Sequence, residues 1–125
     1  MASKAATWIG RIISILVSLM FIFSASFKFI DGPQVTEGFV HLGLPERIMK
    51  PLGVLELTCV VLYLIPATSV VGAILLTGYI GGAICTHWRV GDPFYVQILT
   101  GILIWLGLYL RDDRLKPLMP VRRSA

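Results

Sequence analysis

Three runs of this chain hold no charged residue: one between Arg11 and Lys28, one between Glu56 and Arg89, and one between Asp92 and Arg111. A helix on the surface of a water-soluble domain needs a charged or polar face over such a length, and these runs have none. Lipid is the solvent that suits them, since about 20 apolar residues make one crossing. The composition agrees, with 56% of the 125 residues hydrophobic and only 14% charged. The expected fold is therefore all-α: an integral membrane four-helix bundle, with a short interfacial helix between helices one and two. One domain is expected over 1–125.

Punctuation along the chain sets the expected helices. The first covers about 8–30, where Trp8 and Arg11 anchor one end and Lys28 snorkels from the other. Gly10, Ser14 and Ser18 recur every fourth residue, a small-residue stripe suited to helix contact. Asp31-Gly32-Pro33 stops this helix, so Asp31 is read as a structural polar residue. Val35, Phe39 and Leu42 then share one face of a short amphipathic helix. The second span covers about 48–65, Pro66-Ala67-Thr68 forms a tight turn, the third span covers about 69–88 and the fourth about 94–110. In the third, Gly78 and Gly82 lie four apart and are assigned to close helix packing. Thr86 and Asp92 are read as structural polar residues, Asp92 chiefly as a cap for the fourth helix.

The net charge of +4 is a topology signal in such a chain, and no nucleic-acid partner is expected. The N-terminus, the 66–68 turn and the basic tail 111–125 share one side, with seven Lys or Arg; the other side has Lys28, Arg47, Lys50 and Arg89. The positive-inside rule then makes both termini cytoplasmic. In the tail, Arg111, Arg114, Lys116, Arg122 and Arg123 suit anionic headgroups. The N-terminal segment has a signal peptide's charge, but no small-x-small site stands clear of the apolar run, so it is expected to stay as the first helix. Cys59 and Cys85 are isolated in apolar runs, with no CxxC and no metal-ligand spacing.

This topology gathers Lys28, Asp31, Glu56, His87, Arg89 and Asp92 at one end of the bundle. A carboxylate inside a span faces the interior with a partner, which makes Glu56 the centre of the candidate site. Lys28, His87 and Arg89 are its available partners, and these four are the candidate ligand-binding residues. Glu56 suits a proton-handling or ligand-anchoring role and equally an interhelical ion pair; no complete catalytic set accompanies it. His87 can exchange a proton or hydrogen bond with a carbonyl or quinone oxygen, or simply sit beside Trp88 at the interface.

The segments FSASFKFI, HLGLPE, LGVLEL, LLTGYIGGAICTHWRVGDP and LGLYLRDDRL together resemble the DoxX-like membrane proteins, from about Arg11 to Leu115. The resemblance implies a four-helix protein of the bacterial inner membrane. Relatives in that superfamily include the small subunit of an archaeal thiosulfate:quinone oxidoreductase, and others are linked to methylamine utilisation or to thiol and oxidative-stress systems. It implies a quinone- or lipophile-binding subunit of a membrane redox system, with quinone the cofactor class to test. The alternative is a membrane scaffold or chaperone-like protein that holds a membrane partner or a second copy of itself. No catalytic residues carry over, and the missing CxxC removes a thiol relay.

Overall fold

In the computed structural model the described residues are 3–30 and 32–123. Five α-helices follow one another: α1 (Lys4–Phe27), α2 (Pro33–Leu42), α3 (Met49–Leu64), α4 (Ser69–Arg89) and α5 (Tyr95–Arg111). Single 3-10 turns at Glu46–Ile48, Pro66–Thr68 and Asp113–Leu115 join or follow them. Asp31 lies outside the described residues.

Local chemistry explains the ends. Ser3 caps α1 by accepting from the Ala6 amide at 3.1 Å. The helix ends three residues short of the expected Ile30, because the amides of Lys28, Phe29 and Ile30 bond only three residues back and tighten the chain into a turn. α2 begins on Pro33, whose missing N–H costs nothing at a first helical position. It ends at Gly43, in the left-handed region at φ 73°, where the Leu44 amide reaches back to Phe39 O. Pro51 sits in the first turn of α3, where it breaks no helical bond.

The long helices form a ring in which α1 packs on α3 and α5, and α4 also packs on α3 and α5. Short connections make sequential neighbours antiparallel. Val17, Val60, Tyr63, Leu76, Ile104 and Leu108 fill the centre and are buried. The outward faces are apolar as well: Ile12, Leu16, Leu19 and Phe23 of α1 are each more than half exposed. Meanwhile Ser14, Ser18, Glu56, Ser69 and Thr100 are inside. The Lys4–Phe27 and Pro66–Arg89 segments are long and apolar enough to cross a membrane, with mean hydropathies of 2.0 and 1.7 over their most apolar windows. Only 28% and 22% of those windows are buried by protein. The core helix of a soluble protein would be mostly covered, so lipid is left to cover the rest. Tyr95–Arg111 is apolar but shorter.

Close backbone approach occurs at other glycines than those expected. A Cβ on Gly72 would lie 2.2 Å from Tyr63 N, and one on Gly10 would lie 2.7 Å from Gly107 O. These two positions set the α3–α4 and α1–α5 contacts; Gly10, Ser14 and Ser18 are all buried, and Gly10 and Ser14 meet Gly107 in the second. Gly78 and Gly82 are a correction: a Cβ on either would meet nothing within 4 Å. They create space inside this chain rather than helix contact.

The tail also departs from a loose basic segment. Leu115 is buried against the core. Arg111 turns inward, donating to Tyr63 O at 2.7 Å with its guanidinium 4.8 Å from the Tyr63 ring centroid. Arg114 pairs with Asp112 at 2.8 Å and Lys116 with Asp113 at 2.7 Å. Carboxylates within the tail therefore engage two of the charges expected to meet headgroups.

Candidate functional site

A cavity of about 520 Å³ lies at the α2 end of the bundle, bounded by all five helices. α4 contributes a stripe at helical spacing, with Gly78, Tyr79, Gly82, Ala83, Thr86 and His87 along its wall. The two glycines supply volume and the other four supply surface. Phe39 and Leu42 of α2 cover the cavity, and Met20 and Leu55 lie on it while remaining about half exposed, so its wall reaches the outer surface.

Glu56 forms the polar centre and is 1% exposed. Lys28 Nζ from α1 reaches its Oε1 at 2.9 Å, Tyr79 from α4 donates to the same oxygen at 3.1 Å, and Ser24 Oγ approaches it at 3.5 Å. Each arrival has a structural cause. Lys28 is just past the end of α1, where its stem can fold back; its ammonium also donates to Ser24 O at 3.3 Å and Ser24 Oγ at 3.0 Å. Tyr79 is steadied edge-on by Phe21, with ring centroids 6.2 Å apart. A buried carboxylate needs such paired and hydrogen-bonded surroundings, because isolated it would be several kcal/mol too costly.

Of the sequence-derived candidates, Glu56, Lys28 and His87 line one cavity. His87 Nδ1 faces Ala83 O at 2.8 Å. Thr86 lines it too, its hydroxyl donating to Gly82 O at 2.8 Å. Arg89 is a correction to the expected grouping. Its guanidinium donates to Leu42 O, the carbonyl at the C-terminal end of α2, which attracts a cation. Asp92 does not cap α5 either: that helix starts at Tyr95, with Phe94 at its N-cap and no side-chain cap. Two residues of Pro93-Phe94 separate Asp92 from the helix, and its carboxylate instead meets His41 Nε2 at 2.8 Å. Arg89 and Asp92 therefore hold α2 over the cavity rather than line it.

Tyr79 and Ser24 are not among the sequence-derived candidates, yet both bond Glu56. The available signal was spacing: Tyr79, Ala83 and His87 recur every four residues, so a site containing His87 points to Tyr79 two turns earlier. Gln97 and Thr100 of α5 also line the cavity. Cys59 is buried, Cys85 exposed, and both are free thiols. Among the described residues, no three His, Cys, Asp or Glu side chains gather where a metal could bind.

The profile of the DoxX-like family matches residues 12–110, most of the chain and all of the cavity's lining residues. The chain belongs to the DoxX-like family. That family consists of membrane proteins, which accounts for the apolar exterior and makes the lipid bilayer the setting of this DoxX-like chain. Comparison with curated proteins and with solved structures returns no match. The membership matches the fold and setting expected from the sequence; it assigns no role to Glu56, Lys28 or His87.

Proposed function

We propose that this DoxX-like protein binds a lipophilic molecule with a hydrogen-bonding head, quinones in either redox state being the leading class, as a subunit of a membrane redox or oxidative-stress system. The observation that carries the reading is the cavity: its volume lies within the range of small-molecule sites of about 300–1,000 Å³, with a few polar side chains centred on Glu56 in a mostly apolar wall. On this reading the four long helices cross a bacterial inner membrane with both termini cytoplasmic, so the cavity belongs to the outer leaflet. Glu56 anchors the head, Lys28 holds Glu56 in place, and His87 offers a second polar contact.

The Lys28–Glu56 bond also supports a second reading, a scaffold or chaperone-like protein in which the pair only fixes packing for a partner protein or a second copy. Native mass spectrometry from nanodiscs separates the two. On the binding reading a bound lipophile co-purifies with the wild type and is lost in a folded Glu56→Gln variant. A co-purifying protein with no small molecule would sink it. Labelling of Ser3→Cys and Thr36→Cys from either face checks the orientation; periplasmic labelling at Ser3 would reverse it.

A further inference from the structure

Most hydrogen-bond donors facing the cavity are already engaged. The Lys28 ammonium has three N–H groups, and its three acceptors are Glu56 Oε1, Ser24 O and Ser24 Oγ. Ser24 and Tyr79 each have one hydroxyl hydrogen, directed at Glu56 Oε1. Thr86 donates to Gly82 O and Thr100 to Val96 O. A carbonyl can only accept, so the His87 Nδ1 contact with Ala83 O makes Nδ1 the protonated nitrogen.

Acceptors remain. Every hydrogen bond to Glu56 lands on Oε1, so among the described residues Oε2 receives none. In the neutral imidazole, a proton on Nδ1 leaves Nε2 as a lone-pair acceptor. Gln97, also on the wall, has its Oε1 buried with no partner. Its amide N–H₂ is the remaining donor group among these side chains. A ligand rich in carbonyls would set oxygen lone pairs against a carboxylate oxygen, whereas a hydroxyl or N–H would complete that oxygen's bonding.

We infer that the site selects a lipophile presenting hydroxyl or N–H donors, a hydroquinone or other phenol rather than the corresponding quinone, with Glu56 Oε2 and His87 Nε2 accepting from it. This rests on the cavity being a ligand site, as proposed above. Selectivity of this kind follows from the donor–acceptor balance alone and needs no chemical step at the site.

The test compares three probes of nearly equal size with the protein in anaerobic nanodiscs: a short-chain prenylated hydroquinone, its dimethyl ether and its quinone. Wild type should bind the hydroquinone about tenfold or more tighter than either other probe, the effect of one hydrogen bond to a charged acceptor. His87→Phe, which removes the Nε2 acceptor and leaves the Lys28–Glu56 pair alone, should narrow that gap. Glu56→Gln should narrow it further where the variant folds. Quinone binding equal to or tighter than hydroquinone binding would overturn the inference and leave the cavity a ligand site. Failure of all three probes to bind would overturn both.

Discussion

Tyr79 on α4 donates to Glu56 Oε1 on α3 at 3.1 Å, and the same oxygen receives Lys28, just beyond α1, at 2.9 Å. One carboxylate oxygen thus joins three of the four ring members at the level of the cavity. Removing a single partner strands the others away from water. Glu56→Leu or Lys28→Met alone should each cost about 3–5 kcal/mol, while the double substitution should recover most of the loss. Tyr79→Phe should cost about 1.5–3 kcal/mol, as a hydrogen bond to a charged group. Denaturant unfolding in mild detergent measures all four variants; additive losses in the double variant would refute the coupling.

The glycines of α4 should respond in opposite ways. Gly72→Ala would put a methyl 2.2 Å and 2.4 Å from the Tyr63 backbone, which can yield only if α3 and α4 part. The expected loss is about 3 kcal/mol or more, at the upper end of overpacking costs. Gly82→Ala enters open space and should be neutral or stabilising by up to about 1 kcal/mol through helix propensity. Gly82→Leu should keep its melting temperature but shed any co-purifying lipophile, because its side chain occupies the cavity.

The cover formed by α2 should be separable from the bundle. None of its residues is buried, and two polar tethers hold its C-terminal end: His41 to Asp92, and Arg89 to Leu42 O. His41→Ala combined with Arg89→Ala should raise hydrogen exchange across Pro33–Leu42 while leaving α1, α3, α4 and α5 protected. Unchanged exchange in α2 would mean that its apolar face alone holds it down.

Asp112 supplies a pH dependence outside the spans. Its hydrogen bonds and ion pair with Arg114, opposed in part by burial, hold its pKa below the usual aspartate range. A depressed carboxylate stabilises the folded state above its unfolded pKa, and that contribution is lost as pH falls through the folded value. Wild type should therefore lose more stability than Asp112→Asn between about pH 5 and pH 2. At neutral pH, Asp112→Ala should cost about 1 kcal/mol for the lost cap on the Asp113–Leu115 turn.

The helices were legible because charge-free runs and Pro or Gly breaks are strong, local signals. Observed ends of α3, α4 and α5 fall within one residue of those expected from them. The meeting of Lys28 and Glu56 was legible too, since antiparallel topology brings both to one end. Arg89 was misassigned because its level in the bundle could be read but not its direction, and the free carbonyl at the end of α2 decided that. Gly78 and Gly82 were misassigned for a related reason: a missing side chain permits a close neighbour or a void, and the pattern is the same for both. Tyr79 reads as a core aromatic because one hydroxyl in an apolar run hardly alters hydropathy, although it supplies a bond to the buried carboxylate.

The two ends of the ring are built differently. At the end away from α2, Tyr63 donates to Ile104 O at 2.6 Å, Arg111 lies over its ring, and Leu115 is buried against the same core. That end is a plug, whereas the other is hollow. On the proposed binding reading such a bundle is a cup rather than a pipe: a ligand enters and leaves on the hollow side, where the rim is α2 and the open wall at Met20 and Leu55. Residence time then depends on how readily the rim yields, and a departing molecule competes for the doorway with the next arrival.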